Sequence, residues 1–166
     1  MDKKISILVI GCGNMGASHA ISYENHDGFE ICGLVSRGDS KVDLNNKLKS
    51  DYKLFQDYKE AIDLTKPDAV CISTYPDTHE AYSIAALENG CHVFLEKPIA
   101  STAEGAERVV AVANKVNKKV DGITGATLSV NSIKKMAELA LAMHSLIPDI
   151  QCCCGTGRHN SWATRQ

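Results

Sequence analysis

Three short segments carry residue types and spacings suited to chemistry. Gly11-Cys12-Gly13-Asn14-Met15-Gly16 sets glycines at its first, third and sixth positions, between the apolar run Ile5–Ile10 and a helical pattern. There the glycines have separate uses. Gly11 permits a tight turn, Gly13 lets a diphosphate approach the backbone, and Gly16 lets the helix pack closely on the strand. The unpaired N–H groups at the helix start, with its dipole, then attract the anion. A glycine-rich turn with no ligand is the alternative. The second segment, Ser36-Arg37, follows Glu30–Val35, and Ser36 lies twenty residues beyond Gly16. Folds that bind NAD usually carry an acid there for the ribose hydroxyls. A carboxylate would repel a 2′-phosphate, whereas a hydroxyl beside a guanidinium can bind it, so these residues favour NADP over NAD. The alternative is that Arg37 is a solvated surface charge. In the third segment, Glu96-Lys97-Pro98, a Lys beside a carboxylate at a strand end can polarise a hydroxyl or carry a proton. An exposed Lys97 paired with Glu96 is the alternative.

The elements around these segments alternate. Strands are expected at 5–10, 30–35, 69–73 and 92–95, with a weaker one around 52–55. Helices are expected near 14–25, 42–48, 58–64, 78–88 and 102–117. This is the rhythm of βαβ units around a parallel sheet, and the unbroken apolar runs at 5–10 and 69–73 suit strands covered on both faces. The fold class is therefore α/β, a doubly wound parallel sheet, ending near Val120. Ligands of such sheets bind beyond the carboxyl ends of strands, where Thr74 and Lys97 fall.

Composition narrows the function classes. Lys and Arg total 18 against 20 Asp and Glu, without a block of like charge, so neither nucleic acid nor an anionic membrane surface is an expected partner. No apolar run approaches the roughly 18 residues of a spanning helix. The N-terminus imitates a signal peptide, but its apolar core of six residues falls short of the roughly 7–15 expected, and it reads as a strand. Of seven cysteines, Cys12, Cys32, Cys71 and Cys91 are scattered in apolar segments, as free thiols are in a reducing, cytoplasmic compartment. Cys152, Cys153 and Cys154 are adjacent and lack paired metal spacing, so no metal site is expected.

At Gly11–Ala20 and again at Ala69–Ala100 the chain resembles the Gfo/Idh/MocA family of NAD(P)-dependent sugar and polyol oxidoreductases. The likeness covers roughly residues 4–119, the family's N-terminal Rossmann domain. It implies that Gly11, Gly13, Asn14, Met15 and Gly16 surround the pyrophosphate. It also implies that Ser73, Thr74 and Pro76 line the nicotinamide side and that His79 opens the next helix. Glu96-Lys97-Pro98 is similar to the family's EKP signature. By that likeness Glu96 lies near the nicotinamide ribose, Lys97 reaches substrate hydroxyls as the catalytic residue, and the Lys97–Pro98 bond is often cis.

Members of the family continue into a second α/β domain that supplies a catalytic His, usually four residues after an Asp. Residues 120–166 are too few for it, and neither His144 nor His159 has that Asp. Dinucleotide binding without independent catalysis is the resulting expectation. Residues 121–143 instead resemble the end of an FMN-binding domain, matching its pattern at Asp121, Thr124, Gly125, Ala126, Thr127 and Ser129. That likeness implies Thr127 as the site of FMN attachment; the alternative is a Gly-Ala turn whose Ser129 caps a helix over 130–143. Residues 144–166 read as an irregular tail. The expected organisation is thus 1–120, 121–143 and 144–166, a chain assembled from unlike parts. Three functions follow: the cofactor half of an oxidoreductase of sugars or polyols, a noncatalytic NADP(H)-binding sensor or partner subunit, or a flavin carrier. Self-association as a homo-oligomer stays open.

Overall fold

The structure is a computed structural model and describes residues 4–122. The helix over 130–143, Thr127, the three adjacent cysteines and the tail lie outside the described residues. Within them run β1 (Ile5–Ile10), α1 (Asn14–Glu24), β2 (Phe29–Val35), α2 (Ser40–Leu48), β3 (Leu54–Phe55), α3 (Tyr58–Thr65), β4 (Ala69–Ile72), α4 (Pro76–Glu88), β5 (His92–Leu95), α5 (Ala103–Lys115) and β6 (Val120–Gly122).

The strands form one parallel sheet in the order β3-β2-β1-β4-β5-β6. Successive side chains of a strand point to opposite faces, so β1 feeds two cores. Leu8 and Ile10 join Val70, Ile72 and Leu95 under α3, α4 and α5. Ile7 and Val9 join Ala69, Cys71 and Phe94 under α1 and α2. Each such Ile or Leu removed from water contributes about 1.5–3 kcal/mol, which is why β1 and β4 read as unbroken apolar runs. The buried cysteines belong to these cores. Burial pushes the Cys12 thiol up to about 12 and those of Cys71 and Cys91 up to about 11, so they pack as small hydrophobes.

Two differences from expectation have physical causes. The sheet, expected to end near Val120, gains a sixth strand there, in which Val120, Asp121 and Gly122 pair with Val93, Phe94 and Leu95. Three residues ending in glycine carry no period, and only the neighbouring strand makes them one. α2 and α4 each start two residues earlier than expected, at Ser40 and Pro76: in α2 the Asp39 carbonyl already accepts the Val42 and Asp43 N–H groups, and in α4 proline suits a first helical turn because its missing N–H has no partner there anyway.

Candidate dinucleotide site

The connections from β1 and β4 leave in opposite directions along the sheet, which opens a crevice at their carboxyl ends. The glycine turn fills one side of it. Gly11 has φ +94°, a conformation that favours glycine, and its N–H donates to the Val35 carbonyl at 2.9 Å. A Cβ on Gly11 would stand 2.4 Å from the Ser73 carbonyl oxygen, and one on Gly16 would stand 1.7 Å from the Gly11 carbonyl oxygen. Gly13 differs: a Cβ there would meet nothing within 4 Å. The turn is thus closed by backbone on both flanks and open between them.

The helix behind the turn is uncapped. α3 and α5 begin with Asp57 and Thr102, whose side chains accept backbone N–H groups of the first turn. α1, preceded by Gly13, has no side-chain cap, as α2 and α4 also have none, and unlike those two it has no acid in its first turn. Its leading N–H groups, beside exposed Asn14 and Met15, are left for an anion.

Ser73 and Thr74 border the turn from the end of β4, with the Ser73 N–H on the Ile10 carbonyl at 2.8 Å. The Thr78 hydroxyl donates to the Tyr75 carbonyl, so Thr74 donates to Thr78 across their 2.7 Å contact. Pro76 is exposed at the start of α4. At the end of β5, Glu96 is buried, Lys97 is exposed, and the Lys97–Pro98 bond is cis. The Glu96 carboxylate meets the buried His19 Nε2 at 2.8 Å. His79 is fully buried, its two ring nitrogens facing the carbonyl oxygens of Pro98 at 2.6 Å and Thr74 at 3.1 Å.

At the end of β2, Arg37 is exposed. The Ser36 hydroxyl is occupied within its own loop: it donates to the Gly38 carbonyl at 2.8 Å and accepts from the Ser40 hydroxyl and the Lys41 N–H. Beneath it, the Lys41 ammonium donates to the carbonyls of Ser36 at 3.0 Å and Gly38 at 2.7 Å, and only 7% of that residue is exposed. This loop adjoins the glycine turn, because the Cys12 thiol also reaches the Val35 carbonyl.

The structure therefore brings the turn, Ser73, Thr74 and the Glu96–Pro98 segment around one crevice, with Ser36 and Arg37 at its β2 end. Sequence reasoning missed Lys41 and His19. Both stand on the apolar stripe of their helices, His19 with Gly16, Ala20 and Tyr23, Lys41 with Leu44. A polar residue at a stripe position is the signal that could have found them.

A parallel sheet in this order, with such a turn at its switch point, defines a dinucleotide-binding domain. The chain belongs to the Gfo/Idh/MocA oxidoreductase family, NAD-binding Rossmann fold, whose family model matches residues 5–121. It is 36% identical over 109 residues to an inositol 2-dehydrogenase of Agrobacterium fabrum, covering 64% of this chain and 32% of that protein. Among solved structures it is similar to scyllo-inositol dehydrogenase from Lactobacillus casei with bound NAD(H) and scyllo-inositol, at 27% identity and TM-score 0.67, over 73% of this chain and 36% of that one. An NAD-binding protein from Listeria innocua matches at 33% identity and TM-score 0.65, over 73% and 35%. The chain spans about a third of the length of these relatives.

Proposed function

We propose that this domain binds NADP(H) in preference to NAD(H) and forms the cofactor side of an oxidoreductase that acts on the CH–OH group of a polyol or sugar, cyclic polyols foremost. The carrying observation is the open approach at Gly13 between the closed Gly11 and Gly16, in front of an uncapped helix start. That space and those N–H groups fit a pyrophosphate. Gly11, Gly13, Asn14, Met15 and Gly16 hold it, and Ser73, Thr74 and Pro76 border the nicotinamide half. The bound nicotinamide supplies a hydride donor or acceptor. Lys97, exposed at the mouth of the crevice, would as the free amine accept the proton that a substrate hydroxyl gives up on oxidation, and as the ammonium return it to the carbonyl oxygen on reduction. The inositol substrates named for the relatives support the polyol class.

The NADP preference rests on the loop after β2. Its cations are Arg37 and Lys41, and its acid, Asp39, stands exposed three residues beyond Ser36. With the Ser36 hydroxyl committed to the loop, exposed Arg37 binds the 2′-phosphate, and buried Lys41 holds the loop that presents it. Fluorescence titration with NADPH and NADH tests this. The expected result is tighter binding of NADPH, with the order reversed in Arg37→Asp by a change of about tenfold or more in the affinity ratio. No binding of either at millimolar concentration defeats the whole reading, and an unchanged ratio defeats the preference. Turnover of inositols with NADP by the chain separates an enzyme from a sensor.

A further inference from the structure

We infer that two buried histidines, His19 and His79, are positioning residues that hold the segment carrying Lys97 from opposite faces of the sheet. The inference rests on the reading that this segment borders the nicotinamide half of a bound dinucleotide. Lys97 is exposed, yet its neighbours on both sides are anchored. Before it, the Glu96 carboxylate meets His19 Nε2 at 2.8 Å, with 1% of His19 and 8% of Glu96 exposed. His19 comes from α1, in the layer that packs with Ile7 and Val9. After it, the Pro98 carbonyl meets His79 Nδ1 at 2.6 Å. His79 comes from α4, in the layer that packs with Leu8 and Ile10.

The second nitrogen of His79 extends the device. It faces the carbonyl of Thr74, whose methyl group would lie 3.0 Å from a Cβ on Gly11. A carbonyl only accepts, so a neutral imidazole donates its one N–H to one of these two carbonyls and packs its other nitrogen against the second. One imidazole thus spans the turn after β4 and the turn after β5, and the glycine turn packs on the first of these. This arrangement fixes three crevice walls relative to one another. It also gives His79 a role other than contact with the cofactor, since both of its polar atoms face backbone.

If the histidines only hold the fold together, their loss weakens every ligand alike. If they position the Lys97 segment, the loss falls on the part of the ligand beside it. The test uses the full chain, with whichever of NADPH or NADH it binds more tightly and the matching fragment without nicotinamide, 2′-phospho-ADP-ribose or ADP-ribose. His79→Leu and His19→Leu are each expected to weaken the dinucleotide about tenfold and the fragment by less than about twofold. His79→Gln and His19→Gln, which keep an N–H donor, recover part of that loss. Fragment binding confirms in each variant that the domain has folded. Equal weakening of dinucleotide and fragment, or Leu and Gln variants that bind like the unsubstituted chain, overturns the inference and leaves the cofactor reading standing. Failure of the unsubstituted chain to bind any dinucleotide overturns both.

Discussion

The crevice has two ends built on different principles. At the β1 and β4 end, the glycine turn is shaped by main chain against main chain: Gly16 on the Gly11 carbonyl, Gly11 on the Ser73 carbonyl. At the β2 end, one buried Lys41 side chain holds the Ser36–Gly38 loop by two carbonyls, and Arg37 stands in solvent. The first arrangement leaves no room for variation and suits a pyrophosphate, which every dinucleotide shares. The second can be rewritten by changing one or two side chains without disturbing the sheet, and in the proposed binding mode it is the end that meets the part of the ligand by which NAD and NADP differ.

The sharpest break of this contrast lies within the glycine turn itself. Gly16→Ala puts a methyl group 1.7 Å from a backbone oxygen that cannot move without displacing β1, and is expected to cost about 3 kcal/mol in urea unfolding. Gly13→Ala meets open space and is expected to cost less than about 1 kcal/mol. Its effect falls on the ligand instead, with dinucleotide affinity lowered about tenfold or more by titration, because its methyl group occupies the approach to the helix start. A stable Gly16→Ala, or a Gly13→Ala that binds normally, would show that the closed and open positions are assigned wrongly.

At the other end, Lys41→Met keeps the length of the side chain and removes its charge. The Ser36 and Gly38 carbonyls lose a charged donor, but this loop is partly exposed and water replaces some of what is lost. The expected cost is about 1–2 kcal/mol, towards the lower side for hydrogen bonds to charged groups. Preference for NADPH over NADH should fall by about tenfold with Arg37 intact. A variant that loses stability but keeps the preference would make Lys41 a pin for the loop and nothing more.

The two ends also differ in how legible they are in the sequence. Glycine spacing after an apolar run has few physical uses, so the turn can be read from residue order alone, and the Lys97 segment follows from its resemblance to a family motif. Lys41, His19 and the environment of His79 cannot be read so easily. Each is polar at a helix position that a hydrophobic stripe assigns to the core, and a charge or an imidazole in such a place reads first as surface. What identifies them is the partner: two carbonyls for Lys41, Glu96 for His19, carbonyls of two different turns for His79. The Glu96 partner of His19 lies 77 residues away, a distance no local period spans, and the partners of Lys41 and His79 are main-chain carbonyls, which residue types do not mark. β6 escapes for a related reason, since three residues take strand form only beside β5.

The smallest expected effect separates buried ties from exposed ones on a single helix. Next to the fully buried His79 on α4, Glu80 receives two hydrogen bonds from Arg108 of α5, at 2.6 and 3.1 Å, in solvent. The guanidinium holds the Glu80 carboxyl below its ordinary 4.5. A carboxyl depressed in the folded state stabilises the protein above its unfolded value, and that contribution fades as pH falls through about 4.5 towards the folded value. The stability difference between the native chain and Glu80→Gln should therefore be small at neutral pH and shrink further in acid. It should also be largely lost at about 1 M salt, where the screening length is about 3 Å. Thermal unfolding midpoints across pH and salt measure it. A difference that persists in acid and salt would mean that Glu80 ties α4 to α5 by packing rather than charge, and the contrast with its neighbour His79 would then rest on burial alone.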